Sequence, residues 1–167
     1  MAGRLPFRFL YIQVLERDRG TFQIPLAPAP QRLPEILSRE EIAGLMAVAT
    51  HPKARTFFML AYGTGLRLSE LCRLRVADID SHSDRMCIRV VQGKGGKDRY
   101  VPMSADVLEV LRSWWRLARP QEWLFFSQHD RTQPLNCVNP QRWYQAARAQ
   151  ASITKRGGIH TLRHCYA

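Results

Sequence analysis

Apolar positions along this chain recur in steps of three and four over most of its length and change to steps of two over one short stretch. Phe7, Leu10, Tyr11, Val14 and Leu15 fall at helical intervals. They predict a short opening helix. The run IPLAPAPQRLP then places four prolines between Pro25 and Pro34, a composition that makes a stiff, extended linker. Beyond it, Ser38 and Glu41 form a Ser-x-x-Glu capping box, followed by Ile42, Leu45, Met46 and Ala49, which predicts a helix with its start marked. His51-Pro52 ends it. Thr56 to Tyr62, TFFMLAY, is almost wholly apolar and reads as a buried helix closing in the Gly63 to Gly65 turn. Leu68, Leu71 and Leu74 line the next helix, which puts Arg67 at its first turn.

The step of two comes at residues 85 to 91, RMCIRVV, where Met86, Ile88 and Val90 share a face, and RYVPM resumes after QGKGGKD. This is a hairpin with Lys94 and Lys97 between glycines at its tip. Ser104 caps a further helix whose Val107, Leu108, Leu111, Trp114 and Trp115 form one broad apolar stripe, ending before Pro120. EWLFFS reads as a short buried segment, and 139 to 150 as a second amphipathic helix with Trp143 and Tyr144. The chain is therefore expected to be α+β, mainly α-helical, with a small antiparallel sheet built around a hairpin at 85 to 102.

Charge changes the picture most. The 167 residues hold 25 Lys and Arg against 14 acids, a formal net charge of +11. Such a balance is the electrostatic footprint of a polyanion partner. No apolar run approaches the roughly 20 residues of a membrane span, and no secretory leader is read at the N-terminus, so a cytoplasmic chain without a membrane role is expected. Cys72, Cys87, Cys137 and Cys165 are scattered, with no Cys-x-x-Cys or zinc spacing. They are expected to be structural thiols.

The candidate chemistry is cationic. Arg67 sits where free helix amides and the positive end of a helix dipole would also welcome an anion. His160 and Arg163 are one turn apart and share a helix face. Two guanidiniums can grip the non-bridging oxygens of one phosphate with paired hydrogen bonds. A lysine on a hairpin tip and an imidazole nearby could move protons to a departing oxygen. His160 and His164 have a His-x-x-x-His spacing, but no glutamate lies between them and no third ligand is in reach, so no metal site is expected. Asp78, Asp80 and Asp84 are expected to be ordinary solvated turn acids.

Taken in order, GTGLRLSEL, GKGGKDRYVPM and HTLRH resemble the catalytic domain of the tyrosine recombinase, or phage integrase, family of site-specific DNA recombinases, from about Leu33 to the last residue. The resemblance implies the family's DNA breaking-rejoining catalytic-core fold, incomplete here. It divides the chain into the tail of an N-terminal core-binding (SAM-like) helical domain at 1 to 23, a linker at 24 to 34 and a partial catalytic domain at 35 to 167. It implies that Arg67 and Arg163 hold the scissile phosphate, that Lys94 protonates the leaving 5′ oxygen and that His160 assists proton transfer. Lys97, Arg99 and Arg142 are expected to touch the DNA. Neither metal nor small-molecule cofactor is implied; the partner is double-stranded DNA, on which the full-length family assembles as tetramers.

The family's attacking tyrosine, which forms a 3′-phosphotyrosyl intermediate, is expected roughly thirty residues past Arg163, where only HCYA follows. Tyr166 reads as a packing aromatic. The expected product is thus a recombinase fragment that clamps DNA without cleaving it, weakly stable, with the apolar faces of TFFMLAY and SWWRLA left uncovered. The alternative is a non-catalytic DNA-binding or regulatory module.

Overall fold

The computed structural model describes residues 14–16, 35–91 and 98–166. The chain divides into two units, Met1–Leu33 and Pro34–Ala167. The expected opening helix (14–16 apart), the proline linker and the hairpin tip with Lys94 and Lys97 lie outside the described residues.

In the second unit, α1 (Arg39–Val48) starts as its sequence dictates. Ser38 Oγ accepts the Glu41 N–H at 3.2 Å, and Glu41 Oε2 accepts the Ser38 N–H at 2.6 Å, so two orphan amides are satisfied reciprocally. The His-Pro step does more than end α1. It opens α2 (Pro52–Thr64), in which Pro52 occupies the first turn, where its missing N–H costs nothing, and His51 Nδ1 accepts the Lys53 N–H at 3.2 Å. Gly65 closes α2 in the left-handed region, φ 60°, and donates its N–H to Ala61 O.

α2 is the central helix. Phe57, Phe58 and Leu60 are fully buried, and α1, α4 (Ala105–Ala118), α5 (Val138–Gln150) and α6 (His160–His164) all pack against it. The expectation that its apolar face would stay uncovered is therefore corrected: the helices within Pro34–Ala167 suffice to enclose it. On α4 the outcome is split. Trp114 is buried, with Nε1 donating to Leu124 O, whereas Trp115, expected on the same stripe, is 43% exposed and carries the Arg119 guanidinium over its ring. One residue of helix turns a side chain by about 100°, enough to move Trp115 off the core-facing face.

The sheet has three antiparallel strands in the order β1 (Ile79–Asp80), β2 (Cys87–Val90) and β3 (Arg99–Pro102). β2 and β3 are the expected hairpin. β1 is an added edge that pairs Ile79 with Ile88. Ile88 and Val90 point into the core, and β3 lies opposite with Val101 across from Ile88 and Arg99 across from Val90. Of the EWLFFS segment, expected to be buried, Leu124 and Phe125 are in the core, with Leu124 N–H bonded to Leu74 O and Phe125 stacked on Trp114, while Glu122 is exposed.

Gly63 marks the closest approach of α2 and α4, since a Cβ there would stand 2.6 Å from Val107 Cγ2. Helix propensity alone favours alanine over glycine by about 1 kcal/mol, but overpacking a stiff β-branched neighbour costs about 1–3 kcal/mol. Gly63→Ala is expected to destabilise the domain in urea unfolding. In a Val107→Ala background the same change is expected to stabilise it.

Candidate functional site

Arg67 follows the Gly65 turn in extended conformation and caps α3 (Leu68–Cys72), a helix of five residues. The first of the amides expected to welcome an anion is taken by Glu70. Arg67 N–H donates to Glu70 Oε2 at 2.8 Å and Arg67 Nη1 to Oε1 at 2.9 Å. From β3, Arg99 reaches the same carboxylate with both terminal nitrogens, Nη1 to Oε1 at 2.9 Å and Nη2 to Oε2 at 2.7 Å. So short a helix contributes little dipole, and any affinity for an anion rests on the guanidiniums. Two cations share one anion here. The trio keeps one net positive charge.

Glu70 was not anticipated as a site residue. Its side chain is 10% exposed. Burial pushes its pKa up, but the Arg99 hydrogen bonds, the Arg67 N–H and the Arg67 side chain outweigh that effect and bring it down to about 2. Glu70 in turn holds the Arg99 guanidinium more firmly protonated. An acid three residues after an arginine was the available signal. Its second partner lies 29 residues further on and left no local trace.

His160 and Arg163 stand on α6, exposed and half-buried respectively. α6 is itself only five residues long, so tertiary contacts must hold it. Ile159 and Leu162 are sunk in the core, and Thr161 pairs with the buried Tyr144. The loop before it is tied down from α5, where Arg148 Nη1 donates to Lys155 O and Gly157 O, and Gln145 Nε2 to Gly157 O. Lys155 Nζ reaches Glu41 Oε2 at 2.7 Å, so the carboxylate that caps α1 also anchors this loop. A Cβ at Gly157 would collide with the Thr161 hydroxyl.

The two arginine motifs meet through Tyr166, three residues past Arg163. Its ring packs on Gly65, two residues before Arg67, so closely that a Cβ at Gly65 would lie 2.9 Å from Tyr166 Cδ1. Arg163 Nη1 is buried and has no hydrogen-bond partner among the described residues. An unpaired buried donor on a cation is costly. His160 and Arg142 line one groove of about 600 Å³ together with Gln141, Gln145 and Gly157. Arg142 is exposed. A second cavity, about 650 Å³, lies beside Glu70, Arg73 and Trp123, and none of the described residues expected at the site lines it.

The acids read as solvated turn residues need one correction. Asp78 is buried, because it accepts the Arg75 N–H and pairs with Arg89 Nε and Nη2 at 3.4 and 3.3 Å. Asp80 pairs with Arg85 and Asp84 with His82 at the surface. Burial, with Cys137 beside it, pushes the Cys72 thiol well above its usual range, which makes it unreactive. Among the described residues no group of three His, Cys, Asp or Glu could hold a metal ion, and no helix is long and apolar enough to cross a membrane.

The phage integrase family model matches residues 35–167. A Sinorhizobium fredii sequence assigned as integrase/recombinase y4qK is 40% identical over 162 residues, covering 96% of this chain and 51% of the relative. The tyrosine recombinase XerA of Thermococcus onnurineus is 36% identical over 141 residues, covering 83% and 49%. The chain thus spans about half the length of these curated relatives. The crystal structure of a XerA recombinase superposes with a TM-score of 0.69 at 22% identity over 97% of this chain and 65% of that one. A lambda integrase bound to DNA gives 0.68 at 22% identity, over 82% and 51%. These superpositions establish a tyrosine recombinase catalytic-domain fold.

Glu70 links stability to pH. Its folded pKa of about 2 lies below the ordinary 4.5, so its contribution is full above that ordinary value and fades as the pH falls toward the folded one. Glu70→Gln is expected to lower stability at neutral pH and to shrink the loss between pH ~5 and pH ~2.5, read as urea midpoints at the two pH values.

Proposed function

The chain belongs to the phage integrase family of site-specific tyrosine recombinases, and from that premise we propose that it binds duplex DNA and grips one backbone phosphate between Arg67 and Arg163. The observation that carries this reading is the buried Nη1 of Arg163, which has no hydrogen-bond partner among the described residues. A guanidinium donor withdrawn from water and left without a protein acceptor is satisfied by an anionic oxygen. Tyr166 on Gly65 supports convergence of the two motifs on one ester. Arg67 enters with the positive charge that Glu70 leaves uncompensated.

In this reading the two guanidiniums neutralise charge that grows on the non-bridging oxygens, a preorganised electrostatic stabilisation of phosphoryl transfer. His160, exposed at the start of α6, moves a proton at the same phosphate, and Lys94 protonates the leaving 5′ oxygen. Lys97 and Arg142 add contacts along the backbone; Arg142 shares its groove with His160. The biological role is DNA integration and recombination in the cytoplasm, with the family's tetrameric assembly on two duplexes.

Strand cleavage needs a nucleophile, and the described tyrosines are poorly suited to that task. Tyr144 is buried edge-on against Phe58, Tyr100 stands outward on β3, Tyr62 is half-buried in α2 and Tyr166 is committed to Gly65. These placements favour a second reading, in which residues 35–167 act as a DNA clamp that does not cut by itself. Both readings require DNA binding with a strong salt dependence.

Titration of a short duplex at several salt concentrations is expected to give a steep negative slope. Arg163→Ala should reduce that slope by about one phosphate contact. Incubation with a nicked suicide substrate should give no protein–DNA adduct on a denaturing gel. An adduct would assign the nucleophile to this chain, and salt-independent or absent binding would remove the DNA-clamp reading altogether.

A further inference from the structure

Arg99 occupies an unusual place for a cation. Side chains alternate across a strand, and β3 obeys the rule: Tyr100 is 69% exposed, whereas Arg99 and Val101 are both partly buried. In register, Arg99 stands opposite Val90, which is 4% exposed and belongs to the core. Arg99 therefore turns toward the inner face of the sheet, away from the face that carries Tyr100 and Arg89. It meets Glu70 there and engages both carboxylate oxygens, at 2.9 and 2.7 Å. A planar guanidinium makes such a two-pronged bond and an ammonium does not.

The same two oxygens hold Arg67. Oε1 accepts Nη1 of both arginines, and Oε2 accepts the Arg67 backbone N–H together with Arg99 Nη2. From the described residues Glu70 thus accepts four hydrogen bonds, two from each arginine. Without Arg99 the carboxylate would keep only its two bonds to Arg67 and would be free to rotate about its own side chain. The pair would then be neutral, and the Arg67 guanidinium would lose both its orientation and its surplus charge.

We infer that Arg99 is a positioning residue that acts through Glu70, clamping the carboxylate so that Arg67 is held at a fixed angle and the group stays cationic. This rests on the reading of Arg67 as a phosphate ligand, and it replaces the expectation that Arg99 touches DNA itself. β3 thereby becomes the support of the first arginine, although the two residues are 32 positions apart in the sequence.

The test compares Arg99→Gln in the wild-type and in an Arg67→Ala background, with duplex affinity measured for each. A residue acting through Arg67 should lose its effect when Arg67 is gone: about a tenfold loss of affinity in the first background and less than about twofold in the second. Arg99→Lys keeps the charge but cannot bridge both oxygens, so it should not restore affinity. Equal losses in the two backgrounds, or full rescue by lysine, would mean that Arg99 meets a phosphate directly and would overturn the inference. A DNA-free measurement separates this from the function itself: ¹⁵N relaxation of Arg67 Nε should show a more mobile side chain in Arg99→Gln. If that variant does not fold, Arg99→Lys serves for the same comparison. An Arg67 side chain equally ordered in wild type and variant would refute the positioning role whether or not the protein binds DNA. Failure of the wild type to bind, with Arg67 loosened in the variant, would refute the DNA-clamp reading and leave the role of Arg99 standing.

Discussion

Bringing several cations to one place is repulsive, and the fold meets that constraint with the carboxylate of Glu70. Glu70 lies between Arg67 and Arg99, largely withdrawn from solvent, with both oxygens bonded to both arginines. In a chain of net charge +11 such a group lowers the mutual repulsion without neutralising the site. Coulomb attraction across about 3 Å at partial burial far exceeds that between fully solvated partners. The pKa of about 2 records the balance: burial alone would have favoured the neutral acid, and the arginines reverse it.

The rest of the architecture serves to bring short, individually weak elements to that point. Neither α3 nor α6 exceeds five residues, below what an isolated helix needs to persist in water. Both are secured from outside. α2, buried nearly all round, provides the wall; its left-handed glycine cap turns the chain toward Arg67 and offers a flat seat for Tyr166. The loop before α6 hangs from α5 by Arg148 and Gln145 and from the capping carboxylate of α1 by Lys155. Changes far from the cationic cluster, at Glu41 or Arg148, would therefore loosen the arm that carries His160 and Arg163.

Membership of the phage integrase family and the recombinase catalytic-domain fold agree with the three ordered motifs read from the residues. What the geometry adds is a division of labour among arginines that composition cannot make. Arg163 has a buried nitrogen without a partner among the described residues, Arg142 is in solvent, Arg89 is committed to Asp78 and Arg99 to Glu70. Four residues of one type thus have four different environments.

What the chain determined by itself was local: the capping box at Ser38 and Glu41, the glycine that ends α2, the Ser104 cap, the alternation that makes β2 and β3, and the one-turn spacing of His160 and Arg163. Each depends on atoms within a few residues of one another, so the pattern of side chains carries the information. The burial of Asp78, the exposure of Trp115, the added strand β1, the seat of Tyr166 on Gly65 and the Glu70 bridge were decided only when distant segments met. Their energies come from contacts with residues tens of positions away, where hydrogen-bond geometry and desolvation are set by packing, and no periodicity along the sequence encodes them.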